Sequence, residues 1–140
     1  MLKIGQKILI VDDEPDIVNL TESFLQLENY DTLTCNSGGD ALKIIEKHHK
    51  EIMLVLLDIM MPHIDGYTVL EKIKSNEKYK EILVILFTVK NFKFDIIKGK
   101  ELGADGYLLK AISGKALLDY VRKILKDNKE EDEKEEEEEL

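Results

Sequence analysis

The chain of 140 residues is long enough for one domain with a real core and too short for two ordinary ones. Its net charge of −9 is concentrated in residues 127–140, DNKEEDEKEEEEEL, where ten acids and two lysines leave only −1 for the first 126 residues, a balance that argues against a whole-domain nucleic-acid footprint. A single cysteine excludes an internal disulfide, MLKIGQKILIV is too short in its apolar part for a secretory signal, and no apolar run approaches a membrane span.

The first apolar run, KILIV (7–11), is nearly continuous, as a strand buried on both faces should be. Pro15 then marks a first helical turn, and Ile17, Leu20, Phe24 and Leu27 recur at helical spacing as its expected inward face. YDTLTC (30–35) is a shorter strand nearer an edge, after which Ser37 caps a second helix carrying Ala41, Ile44 and Ile45. IMLVLL (52–57) is another solid strand. It runs into Asp58 and a turn containing Pro62, and Asp65 or Gly66 opens a third helix with Val69, Leu70 and Ile73 inward. ILVILF (82–87) precedes a fourth helix from about Asn91 to Leu102, closed by Gly103. GYLLK (106–110) is the last strand, and Ser113 caps a fifth helix with Leu117, Leu118, Val121 and Leu125 inward.

Strand and helix alternate five times, and each crossover is long enough for a helix. The expected fold is α/β, a doubly wound five-stranded parallel sheet with helices on both faces. It occupies residues 1–126. Residues 127–140 are a like-charge run with nothing to bury, expected to be a disordered acidic tail that prolongs the fifth helix by a turn or two at most.

In open parallel sheets ligands bind beyond the carboxyl ends of the strands. Asp12 and Asp13 follow the first strand, Asp58 ends the third, Thr88 the fourth and Lys110 the fifth. Three carboxylates gathered there repel one another unless a cation joins them, and hard oxygen ligands with room for water suit Mg²⁺. A carboxylate beside that ion is a plausible nucleophile toward phosphorus, with the Thr88 hydroxyl and the Lys110 ammonium on the phosphoryl oxygens. Each residue also has a plainer role. Asp12 and Asp13 before Glu14-Pro15 suit a helix cap, Tyr107 suits a core, and Lys110 alone suits a surface. Five residues at successive strand ends, all fitting one mechanism, favour the functional reading.

VDDEP (11–15), LLDIMMPHIDG (56–66), FT (87–88) and GADGYLLK (103–110) together resemble the receiver domain of two-component response regulators, over nearly all of residues 6–126. The resemblance implies the flavodoxin-like receiver fold with strand order 2-1-3-4-5. It implies Asp58 as the phosphoacceptor, served by a histidine kinase or histidine phosphotransfer protein in a phosphorelay, with self-catalysed phosphorylation and dephosphorylation. Asp13 and Asp58 would bind Mg²⁺ through side chains, Asp12 would lie close by, and the Met60 backbone carbonyl would add a ligand. Thr88 and Tyr107 would form the switch pair and Lys110 the partner cation. A downstream protein target would read the switched surface, with room for a phosphorylation-dependent homodimer and no direct contact with nucleic acid or membrane. The implied location is cytoplasmic.

The family usually has proline with a cis peptide after this lysine. Here Ala111 follows, and a non-proline cis bond costs about 2.5–4 kcal/mol, so a trans bond and a looser loop are expected. By the same resemblance Met60 and Lys90 flank the path of a hydrolysing water. A haloacid-dehalogenase-like phosphatase using Asp58 as nucleophile is the alternative, but that chemistry wants an aspartate where Met60 stands. A flavodoxin-like cofactor binder is disfavoured because DDEPD repels a phosphate. Cys35 reads as an inert strand residue, and His48 and His49 as a cationic helix end without the spacing of a metal pair.

Overall fold

In a computed structural model, residues 6–89 and 93–139 are described. Five parallel strands, β1 (Lys7–Val11), β2 (Asp31–Cys35), β3 (Ile52–Leu57), β4 (Leu83–Thr88) and β5 (Gly106–Leu109), form one sheet in the order β2-β1-β3-β4-β5. The crossovers are α1 (Pro15–Leu27), α2 (Gly38–His48), α3 (Gly66–Lys74) and α4 (Lys93–Glu101), and α5 (Gly114–Glu139) follows β5. The strand order reverses between β1 and β3, and ligand sites of such sheets form at that reversal.

Alternate strand residues feed two cores, as the two-residue period of a strand requires. Leu9, Val11, Val55, Leu57, Val84 and Leu86 pack against α2 and α3 through Ala41, Ile45, Val69, Leu70 and Ile73. Ile8, Ile10, Leu54, Leu56 and Ile85 pack on the other face against Val18 and Leu25 of α1 and Leu117 and Val121 of α5. Each large side chain buried this way contributes about 1.5–3 kcal/mol of transfer free energy. Both faces of the central strands are therefore dry, which explains their solid apolar runs.

Ser37 and Ser113 accept the expected capping hydrogen bonds from the Asp40 and Ala116 amides, each at 3.1 Å, and Asp65 caps α3 through the Thr68 amide at 2.9 Å. Gly103 has φ +98°, the left-handed conformation that glycine adopts freely just past a helix. Two expectations need correction. The inward line of α1 is Val18, Thr21 and Leu25, while Leu20 is 54% and Leu27 76% exposed. Thr21 is almost wholly buried, so the line facing the sheet runs through a polar residue that an apolar count passes over. Beyond Lys126 the chain is helical rather than irregular, because α5 continues to Glu139. Glu and Lys are good helix formers, and a helix already nucleated on the sheet extends at little cost. The expected start of the fourth helix near Asn91 lies outside the described residues.

Candidate functional site

The acidic residues meet because β1 and β3 are neighbours in register, with Val11 opposite Leu57. The Asp58 amide extends that pairing by donating to the Val11 carbonyl at 2.9 Å, and the Asp12 amide reaches the Cys35 carbonyl at 3.3 Å. Asp12 and Asp58 are thus delivered side by side at the end of two buried strands, 2% and 3% exposed, with Asp13 half-buried beside them. One carboxylate oxygen from each of the three lies within 4.8 Å of the others.

The turn after Asp58 is shaped by close packing. His63 takes φ 69°, and the Gly66 amide donates to the Ile59 carbonyl at 2.8 Å. A Cβ at Gly66 would lie 2.2 Å from the Asp58 carbonyl oxygen, so only glycine lets α3 start against the end of β3. The Met60 amide approaches Asp58 Oδ1 at 3.4 Å, and the Met60 side chain is exposed.

Lys110 enters from the end of β5. Its Nζ lies 2.7 Å from Asp12 Oδ2, 3.3 Å from Asp58 Oδ2 and 3.6 Å from Glu14 Oε1. No cis peptide occurs among the described residues, so the Lys110–Ala111 bond is trans, and the side chain still reaches the pocket. A backbone bond from the Lys110 amide to the Thr88 carbonyl, at 2.8 Å, fixes its root. Thr88 is fully buried at the end of β4, and Tyr107 is half-buried on β5 opposite Leu86. Lys90 lies outside the described residues.

Electrostatically the pocket is short of positive charge. Burial raises the Asp58 carboxyl to about 6; Lys110 opposes that rise and the nearby Asp12 adds to it. Burial also raises Asp12, against the pull of Lys110 and of the Glu14 amide. Burial penalises the Lys110 ammonium, but its pairing with Asp12 and Asp58 outweighs this and raises its pKa. Asp12 Oδ2 is paired with Lys110 Nζ at 2.7 Å, which leaves one ammonium among the three clustered carboxylates. A cluster with that imbalance suits a further cation.

The acidic residues and Lys110 singled out in the sequence lie together here, but sequence reasoning passed over Glu14. It is the N-cap residue of α1, yet its side chain makes no capping bond and reaches toward Lys110 instead. Its amide donates to Asp12 Oδ1 at 3.0 Å, so Asp12 closes a tight turn rather than capping the helix. The remaining singled-out residues are structural. Cys35 is buried and its thiol is pushed up to about 11, chiefly by burial. His48 pairs with Glu51 at 2.6 Å, and His49 meets Tyr79 edge-on at 5.1 Å.

Comparison with known proteins agrees with this geometry. A response regulator receiver domain protein (CheY-like) from Methanospirillum hungatei superposes with a TM-score of 0.82 at 28% identity, covering 91% of this chain and 98% of that one. The probable transcriptional regulator ycf27 of Galdieria sulphuraria is 41% identical over 89% of this chain and 47% of its own length. Protein PilG of Pseudomonas aeruginosa is 37% identical over 84% of this chain and 86% of its own length. The chain spans about half the length of the ycf27 regulators it matches, with 47–48% of their lengths covered in four cases. Those names weaken the expectation that nucleic acid is not involved. No helix among the described residues is long and apolar enough to cross a membrane. The sequence profile of the response regulator receiver domain matches residues 8–122, and with the 2-1-3-4-5 sheet and the acidic pocket at its reversal, the chain belongs to that family.

Proposed function

We propose that Asp58 is the phosphoacceptor of this receiver and that Mg²⁺ is its cofactor. The observation that carries the reading is the convergence of Asp12, Asp13 and Asp58 with Lys110 at one buried strand end. Asp13, Asp58 and the Met60 carbonyl would hold the ion, with Asp12 beside it. Bound there, Mg²⁺ supplies positive charge to the oxygens of an incoming phosphoryl group.

The chain's own residues supply the rest. Asp58 stands on a rigid strand, so little motion is needed to present its carboxylate to a donor. As its oxygen bonds to phosphorus, the bond from phosphorus to the donor breaks and the donor leaves with the electron pair. Lys110 then exchanges part of its pairing with Asp12 and Asp58 for a phosphoryl oxygen, and the Thr88 hydroxyl donates to another. Tyr107 responds to the movement of Thr88, which turns a local charge into a changed α4–β5 exterior.

The donor on this reading is a histidine kinase or a histidine phosphotransfer protein, and the reader is a downstream protein. The receiver domain ends near Lys126, and the acidic segment lies outside it. The chain accelerates its own labelling and label loss but turns over no separate substrate. A cytoplasmic location fits such donors.

The test is labelling by a small phosphodonor, with and without Mg²⁺. Asp58→Asn should abolish labelling and Asp13→Ala should remove its metal dependence. Stoichiometric labelling of Asp58→Asn would sink the assignment.

A further inference from the structure

Away from the acidic pocket, one side-chain cluster connects the loop after Asp58 to α4. Tyr67 is the second residue of α3, and its hydroxyl donates to Asp95 Oδ1 at 2.8 Å, with the Asp95 carbonyl at 3.4 Å. Lys98 Nζ lies over the same ring, 4.4 Å from its centroid. Asp95 and Lys98 stand three residues apart on α4, so the tyrosine is held between an anion at its hydroxyl and a cation on its face.

The two ends of this connection differ in rigidity. Tyr67 is rooted where Gly66 packs on the Asp58 carbonyl and Asp65 caps the helix. Among the described residues, the α4 end has few other ties. Among its described side chains Gly99 alone is buried, against Leu86, while Ile96 is 37% and Ile97 46% exposed. With so little apolar surface buried by the described side chains, polar ties count for more in positioning the element. The Asp95 charge is also felt at the switch residue: after burial it raises the Tyr107 phenol, and its hydrogen bond and charge together raise Tyr67.

We propose that the Tyr67–Asp95 hydrogen bond, backed by Lys98, is a tether that holds α4 to the phosphoacceptor loop and sets how readily phosphorylation is read out at the α4–β5 surface. This rests on the switching reading above. The loop and α3 are fixed by close packing, so a displacement of α4 relative to them must break the bond. A ligand that favours the displaced form has to overcome the tether, and a chain without it should bind that ligand more tightly. The proposal therefore names Tyr67 and Asp95 as regulators of the site, neither of which touches it.

Tyr67→Phe tests this well because it removes the hydroxyl and keeps the ring beneath Lys98. The parent, Tyr67→Phe and Asp95→Asn proteins are titrated with beryllofluoride at saturating Mg²⁺ and followed residue by residue by NMR. The midpoint should fall roughly tenfold in Tyr67→Phe, the scale of one charge-assisted hydrogen bond, and less in Asp95→Asn, which keeps an acceptor. Amide exchange in α4 of the free Tyr67→Phe protein should accelerate while α2 and α5 stay as in the parent.

If α4 resonances move in the parent but the Tyr67→Phe midpoint agrees with it within about twofold, or rises, the tether is overturned and switching stands. Unchanged α4 exchange overturns the tether too. If no α4 resonance moves in the parent, the switching reading fails and the tether fails with it.

Discussion

Replacing Asp58 with asparagine should make the protein more stable at neutral pH, although it removes one partner of a buried lysine. Asp58 is 3% exposed and its carboxyl is raised from 3.8 to about 6, mainly by burial. The ionised form is therefore disfavoured by about two pKa units, or roughly 3 kcal/mol at the usual conversion. Asparagine resembles the protonated carboxyl in shape and charge. Lys110 keeps Asp12 at 2.7 Å, so the substitution does not strand its ammonium. The net gain should be about 1–3 kcal/mol at pH 7, which for a chain of this size is on the order of 3–10 °C in Tm.

The sign of the pH dependence follows from the raised pKa. A carboxyl held above its unfolded value adds stability below pH 4, and that stability is lost as pH rises through 6. The advantage of Asp58→Asn should accordingly shrink to a small fraction between pH 7 and pH 4. Urea melts of both proteins in chelator, at those two pH values, measure it directly. An equal gain at both values, or a less stable variant at pH 7, would refute the account of a charge strained by burial. Mg²⁺ should stabilise the parent and leave the variant nearly unmoved.

Gly66→Ala places a Cβ 2.2 Å from the Asp58 carbonyl oxygen, so it should cost more than about 2 kcal/mol in a denaturant melt and reduce Mg²⁺ affinity as the loop shifts. Lys74 donates to the Ile82 carbonyl at 2.7 Å and to Asp105 Oδ2 at 2.8 Å, and Asp105 accepts from the Val84 amide at 2.8 Å; Lys74→Met should therefore cost about 1–3 kcal/mol in the same melt. Truncation after Lys126 should lower the helical circular dichroism signal and leave Tm nearly unchanged, since the described side chains beyond it lie mostly exposed. Phosphoryl decay should be slow, because the exposed Met60 thioether and the Lys90 ammonium orient a water poorly; Met60→Asn or Lys90→Glu should speed it, and fast parental decay unmoved by either would refute this.

Much of the site was legible because β-strand ends are legible. A solid apolar run that stops at a carboxylate places that carboxylate at a sheet end, and Asp12, Asp13, Asp58, Thr88 and Lys110 all follow such runs. Capping hydroxyls and the Gly103 turn were readable for a similar reason, since their chemistry acts within a few residues. Position along the chain was enough for these.

What escaped the sequence depends on distance in space. Which line of α1 faces the sheet is decided by its packing between β1, β2 and α5, and that choice buries Thr21 and exposes Leu20. The acidic segment reads as unable to fold alone, yet it continues a helix that tertiary packing has already nucleated. Tyr67 and Asp95 are 28 residues apart, and nothing local marks either. The sequence alone determined the strands, their alternation with helices and the residues at their ends. Only the tertiary structure decided which side chains on different helices meet, because a contact between elements depends on how their axes settle against a shared sheet.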